Sequence, residues 1–71
     1  MAKITYKGFD IVAAPYETQD GQWTHNYQIR KHTGAEVIER QFSSATLFAT
    51  EADAIEACHQ AGRQLIDDKF S

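Results

Sequence analysis

The fold is decided by residues 23–31, which read Trp-Thr-His-Asn-Tyr-Gln-Ile-Arg-Lys. Trp23, Tyr27 and Ile29 share one side of this run with His25, whereas polar side chains occupy the other side. Alternation with a period of two predicts a strand of an antiparallel sheet that has one face on the core and one face in water.

Shorter alternating runs lie on both sides of this strand. Residues 3–7 and 9–14 surround Gly8 and predict a hairpin, which ends at Pro15 because proline cannot donate to a ladder. Residues 16–22 are polar and contain Asp20-Gly21, which predicts a loop. Residues 36–42 resume the alternation after a turn at 32–35, and residues 46–48 could form a fifth, closing strand.

The hydrophobic period changes near residue 49. Thr50 followed by Asp53 is a variant of the capping box and predicts the start of a helix. From there the apolar residues recur at spacings of three and four, which predicts an amphipathic helix of about 17 residues. Gly62 lies on or beside this stripe, where it costs about 1 kcal/mol relative to alanine. We therefore expect it to permit close contact with the sheet.

The elements predict an α+β fold, in which an antiparallel sheet of four to five strands packs on one C-terminal amphipathic helix, in the order β-β-β-β-(β)-α. Residues 1–71 are expected to form a single domain. Arg40 falls on the inward side beside apolar neighbours and should reach water at the rim. The predicted core consists of Ile4, Tyr6, Phe9, Ile11, Trp23, Tyr27, Ile29, Ile38, Phe42, Phe48, Ile55, Cys58, Leu65 and Ile66.

The net charge of −3 is unevenly distributed along the chain. Residues 1–48 are neutral, so the excess of acidic residues lies entirely in residues 49–71. DNA-binding domains usually carry a basic excess, because neutralising phosphates supplies much of their affinity. The charge distribution therefore makes nucleic acid a less favoured partner than protein.

No stretch of the sequence predicts a signal peptide or a membrane span, because the longest apolar run is only residues 11–14. The single cysteine excludes an intramolecular disulfide and fits a reducing compartment. These features predict a cytoplasmic protein with no membrane association. The initiating Met1 and the lack of a tag predict a complete gene product.

Several residue groups contain side chains that chemical sites use, and each has a structural explanation that fits better. Adjacent helix residues such as Cys58 and His59 do not face each other, so a buried, inert thiol is expected. The three histidines lack the paired spacing of a zinc site, and His25 is expected to have a polar partner on its strand. Asp67-Asp68 is expected to be a solvated end of a frayed helix. Trp23 and Tyr27 are expected in the core rather than on a stacking platform.

No glycine-rich phosphate loop is present, and the spacing supports no Ser-His-Asp arrangement. The sequence thus predicts a protein that is not an enzyme, with no catalytic residues, no metal ligands, no cofactor and no small-molecule ligand.

The sheet face opposite the helix is the candidate interaction surface. It is expected to mix hydrogen-bonding groups with cations, and it is either an ordinary solvated face or a contact surface for a macromolecule. Its candidate interaction residues are Lys3, Thr5, Lys7, Thr24, Asn26, Gln28 and Arg30. Asp10, Val12, Val37, Glu39 and Gln41 are expected on the same face.

Two resemblances extend these expectations. Residues 48–57, Phe-Ala-Thr-Glu-Ala-Asp-Ala-Ile-Glu-Ala, preceded by Gly21-Gln22-Trp23, resemble small bacterial proteins of unknown function, in which strands lead into a Phe-x-Thr-x-x-x-Ala helix start. This implies a fold and no activity. The order of elements also resembles the three-stranded-sheet DNA-binding domains of plant transcription factors and the arm-binding domains of integrases. Those domains place basic and aromatic residues on the open face, whereas here the sheet segment is neutral and the aromatics fall on the other side.

Two functions are therefore considered. The first is a non-enzymatic protein-interaction module, with a protein partner or self-association through a sheet edge or the open face. The alternative is a nucleic-acid-binding regulator that uses the open sheet face, with Lys3, Lys7 and Arg30 as its cations.

Overall fold

The computed structural model describes residues 2–70, which form one four-stranded sheet followed by one helix. The strands are β1 (Ala2–Tyr6), β2 (Phe9–Ala13), β3 (Trp23–Thr33) and β4 (Glu36–Phe48), and the helix is α1 (Glu51–Phe70). The strands are antiparallel and lie in the order β1-β2-β3-β4, so that β1 and β4 are the two edges. The predicted α+β arrangement is confirmed.

Two tight turns connect the outer strands. Tyr6 pairs with Phe9, and both Lys7 (φ 51°) and Gly8 (φ 83°) between them have positive φ. Positive φ at both central residues defines a type I′ hairpin turn, whose twist matches that of the strands. Thr33 pairs with Glu36 around Gly34 (φ 62°) and Ala35, where only the glycine has positive φ, as in a type II′ turn.

The fifth strand considered for residues 46–48 does not exist as a separate element. These residues are the end of β4, because Phe48 pairs with Trp23 and Leu47 with Thr24. The register shifts between Thr24 and His25, whose partner is Ser44. Two extra residues, 45 and 46, therefore form a bulge in one continuous strand, and this bulge interrupts the sequence alternation.

The core lies between α1 and the two central strands. Its buried residues are Phe9, Ile11, Ala13, Tyr27, Ile29, Cys58 and Ile66, and Ile4, Tyr6, Phe42, Ile55 and Leu65 pack around them. The prediction for Ile38 was wrong, since its side chain is 45% exposed. It lies on the same sheet face as Ile29, but β3 and β4 extend beyond the helix and leave that part of the face uncovered. Trp23 and Phe48 are half-buried at the other end.

The helix approaches the sheet most closely at Gly62. A Cβ atom at this position would lie 2.7 Å from Cγ2 and 2.9 Å from Cδ1 of Ile11, which is fully buried. The expected role of Gly62 in close packing is confirmed. At the start of the helix, the backbone N–H of Asp53 donates to Thr50 Oγ1 (3.1 Å), which confirms the threonine cap.

Candidate functional site

The sheet face that points away from α1 is called the open face below. Its strands meet in rows, of which one joins Lys3, Val12, Gln28 and Gln41 and the next joins Thr5, Asp10, Arg30 and Glu39. Thr24, Asn26 and His32 of β3 and Val37 and Ser43 of β4 share this face by alternation. Val12 is only 5% exposed because it lies on a central strand with long side chains in register on both sides.

Arg30 is a cation of the open face that contacts two neighbouring side chains. Its Nε and Nη2 atoms donate to Gln28 Oε1 (3.1 and 2.9 Å), and Nε lies 3.1 Å from Glu39 Oε1 on the neighbouring strand. This network ties the guanidinium to Gln28 and Glu39. It also means that part of the hydrogen-bonding capacity of Arg30 is already used within the face.

Asp10 is the acidic residue of β2 on the open face. Its Oδ1 accepts a hydrogen bond from Thr5 Oγ1 (3.0 Å), and its Oδ2 lies 3.7 Å from His32 Nε2. Lys3 and Arg30 are thus opposed on this face by Asp10 and Glu39. The open face as described is close to electrically neutral.

Thr24 and Asn26 have partners that belong to the fold. Thr24 Oγ1 accepts from the backbone N–H of Tyr16 (3.0 Å), and the Asn26 amide donates to the carbonyl of Ala14 (3.3 Å). Both side chains therefore anchor the loop that joins β2 and β3. Each retains polar atoms for an outside partner, since Thr24 Oγ1 can still donate and Asn26 Oδ1 can still accept.

The placement of Lys7 on the open face was wrong. Lys7 is in the β1–β2 turn, and its Nζ lies 2.6 Å from Asp67 Oδ1 on α1, at the other side of the sheet. Tyr6 Oη also donates to both carboxylate oxygens of Asp67 (3.0 Å each). The hydrogen bonds from Lys7 and Tyr6 lower the pKa of Asp67, and the hydrogen bond to Asp67 raises the pKa of Lys7.

The same contacts correct the expectation of a frayed helix end. Asp67 ties the last turns of α1 to the β1–β2 turn, and the helix continues to Phe70. Asp68 instead accepts from Gln64 one turn earlier (3.1 Å). The sequence pattern could not distinguish these two neighbouring carboxylates, because their partners are 60 residues away in one case and four in the other.

A shallow groove on the helix side was not predicted from the sequence. It has a volume of about 320 Å³ beyond the end of α1, and Phe9, Ile29, Lys31, Thr33, Ile38 and Arg40 line it. Lys31 Nζ lies 4.9 Å from the centre of the Phe9 ring. The sequence feature that could have indicated this groove was Arg40, a basic residue between two inward apolar residues of β4. Its predicted reach to water is confirmed, since Arg40 is exposed.

The other candidate groups do not form chemical sites. Cys58 is fully buried, its Sγ lies 3.5 Å from the carbonyl of Asn26, and burial raises the pKa of the thiol, so it is a packing residue. His25 has the expected polar partner, Ser44 Oγ at 2.8 Å. Tyr27 is buried and stacks on Phe42 at 5.4 Å. Within residues 2–70, no cluster of His, Cys, Asp or Glu could hold a metal ion.

In the described part of the chain, no helix is both long enough and apolar enough to cross a membrane.

The open face is the developed polar surface of residues 2–70, in which hydrogen-bonding side chains are held in register by four strands. Such a surface can bind another molecule through hydrogen bonds and shape.

The family of the chain follows from its whole length. A family model described as "Transcriptional activator HlyU" matches residues 1–70, so the chain belongs to the HlyU transcriptional activator family. Searches among curated proteins and among solved structures gave no match.

This membership overturns the leading functional hypothesis. The sequence favoured a protein-interaction module akin to proteins of unknown function, with nucleic acid as the less favoured partner, whereas the family is one of transcriptional activators. The hypothesis relied on the missing basic excess of residues 1–48 and on the position of the aromatic side chains away from the open face. Neither feature excludes base contacts made by uncharged hydrogen-bonding side chains.

Proposed function

We propose that this chain is a DNA-binding transcriptional regulator that works in the cytoplasm, without catalysis, through its open face. The observation that carries the proposal is the match of the transcriptional activator family over residues 1–70. Regulation of transcription requires contact with a promoter, directly or through a partner. The open face is the surface of this chain whose side chains are suited to direct contact.

The chemistry of the open face supports base contacts. Asn and Gln side chains recognise adenine through paired hydrogen bonds in the major groove. Asn26 and Gln28 stand at alternate positions on β3, beside Gln41 on β4, and Arg30 follows on the same face as a cation for the phosphate backbone. The major groove is about 12 Å wide and admits a two-stranded ribbon. The hairpin of β3 and β4, with 11 and 13 residues, is a ribbon of this kind.

The proposed contact residues are Lys3, Thr5, Thr24, Asn26, Gln28 and Arg30, with Lys7 removed from the set. Only two of them are cations, and Asp10 and Glu39 lie opposite Arg30 on the two neighbouring strands. Each phosphate neutralised on duplex DNA contributes a slope of about −0.9 to the dependence of log affinity on log salt. Two phosphate contacts therefore give a slope of about −2. Sequence-specific binding should thus persist over a wide range of salt concentration.

The test begins with a duplex enriched from a random-sequence pool by repeated binding to the chain, followed by fluorescence anisotropy. The variant Lys3→Ala/Arg30→Ala removes both cations of the open face. The matched control, Lys31→Ala/Lys69→Ala, removes two exposed cations that lie on other surfaces.

We expect the open-face variant to weaken binding by at least tenfold and to reduce the salt slope by about 2, because each lost phosphate contact removes about 0.9. The control should bind within about threefold of the original chain. Enrichment of no duplex at all would refute the proposed function. A control variant that loses binding while the open-face variant keeps it would refute the proposed surface.

A further inference from the structure

The β4 edge of the sheet is long and unprotected. Along β4 every residue is exposed except Phe42 and Phe48, which are half-buried. Three of its apolar side chains are open to solvent, Val37 (50%), Ile38 (45%) and Leu47 (44%). An exposed edge of this kind presents unpaired backbone groups that can bind another strand.

The opposite edge, β1, is short and partly covered. β1 has only five residues, and the Ala2 carbonyl accepts a hydrogen bond from His59 Nε2 of the helix (3.2 Å). Short edge strands and covered edges are the usual protection against strand addition. Between the two edges of the described sheet, β4 is therefore the one suited to a partner strand.

We propose that β4 pairs antiparallel with β4 of a second copy of this chain, with the two-fold axis at Ile38. In this register, residues 36–40 of one copy face residues 40–36 of the other. Ile38 then meets Ile38 of the partner subunit, and Glu36 meets Arg40 of the partner subunit on each side of the axis. The inference does not depend on DNA binding.

Charge selects this register among the alternatives. In an antiparallel pair, directly opposed residues point to the same face of the sheet. An axis between two consecutive residues would oppose side chains of different faces, so the axis must pass through a residue. An axis at Glu39 places Glu39 opposite itself, and an axis at Arg40 places Arg40 opposite itself, and both arrangements are repulsive. Among axes at residues 37–42, the one at Ile38 alone brings oppositely charged side chains together.

Within residues 2–70 of one copy, Glu36 and Arg40 have no ion-pair partner. Glu36 and Arg40 are four positions apart along the strand, which corresponds to a distance of about 13 Å. The ion pairs formed within residues 2–70 involve neither of them. The side chain of Arg40 makes one long hydrogen bond to the Glu39 carbonyl (3.3 Å), which it can exchange for a carboxylate across the axis.

The dimer would also bring together the grooves of the two copies and the open faces of the two copies. The grooves beside Ile38 and Arg40 would adjoin each other across the axis, which removes exposed Ile38 from water. Because the axis is perpendicular to the sheet, both open faces would lie on the same side of a continuous eight-stranded sheet.

Sedimentation velocity without DNA, over a dilution series from millimolar to below micromolar, tests the inference. We expect Glu36→Lys and Arg40→Glu each to weaken dimerisation about tenfold, because each replaces two attractive cross-strand pairs with repulsive ones. The double variant Glu36→Lys/Arg40→Glu should restore the original affinity within about threefold. Glu56→Lys, an exposed reversal on α1, is the control and should change nothing.

A chain that is monomeric at millimolar concentration would overturn the inference. A dimer in which the double variant is no better than the single variants would overturn the register, because the pairing at Ile38 is the one that the exchange restores. Circular dichroism of each variant verifies that the strands are intact. Since DNA is absent, these outcomes are independent of the proposed function.

Discussion

Replacement of Gly62 by alanine tests how tightly the helix packs on the sheet. Alanine is favoured over glycine in a helix by about 1 kcal/mol, so on an open surface this change would stabilise the protein. Here the new Cβ would lie 2.7 Å and 2.9 Å from two carbon atoms of Ile11. Ile11 has no exposed surface and cannot move into solvent.

The overpacking term should outweigh the helix propensity. Inserting a methyl group into a packed core costs about 1–3 kcal/mol. With the propensity gain subtracted, we expect Gly62→Ala to lower the free energy of unfolding by up to about 2 kcal/mol. For a domain of this size each kcal/mol lost lowers the melting temperature by roughly 4–8 °C.

Urea unfolding, followed by circular dichroism, measures the change. The pair Gln60→Ala and Gln60→Gly, at an exposed position two residues away, gives the propensity term in the same helix. Ile11→Val removes Cδ1, one of the two closest atoms, so Gly62→Ala should cost less in that background. If Gly62→Ala raises stability by the amount that separates the two Gln60 variants, the close contact with Ile11 is refuted.

Three further predictions concern the cap, the ion pair and the thiol. Thr50→Ala should lower the free energy of unfolding by about 1 kcal/mol, measured by urea unfolding, while Thr50→Ser, which keeps the hydroxyl, should be nearly neutral; equal losses would refute the cap. Because Lys7 and Tyr6 lower the pKa of Asp67, this carboxylate stabilises the fold above the unfolded pKa, near pH 4, and the contribution is lost as pH falls through the lower folded pKa. Unfolding measured from pH 7 to pH 2 should therefore show a smaller loss for Asp67→Asn than for the original chain, whereas an identical profile would refute this contribution. Cys58 should react with a thiol reagent at pH 8 at least a hundredfold more slowly in the folded chain than in urea, because it is fully buried and its pKa is raised; similar rates would contradict its burial.

Local patterns were sufficient to predict most of the fold. The alternation of residues 23–31 and the three- and four-residue spacing after Thr50 identified β3 and α1, because each places one face on the core. β4 was harder to predict. It is held by pairing with β3 more than by burial, so the apolar signal beyond Phe42 is weak and the bulge at residues 45 and 46 hides its continuation.

The composition of the open face was only partly accessible to sequence reasoning. Alternation placed Asn26, Gln28 and Arg30 together, but the pairing of Arg30 with Glu39 depends on strand register, which a single strand does not specify. Lys7 was misplaced because its side chain leaves a type I′ turn, where strand alternation no longer applies. The burial of Val12 depends on strand order, which makes β2 a central strand.

The most direct measurement of the central claim is a backbone amide NMR titration of the chain with the enriched duplex. We expect shifts concentrated on the open face, at Lys3, Thr5, Asn26, Gln28 and Arg30, with little change at Lys7 on the opposite side. Shifts confined to α1 and the groove around Lys31, or no shifts at saturating DNA, would contradict it.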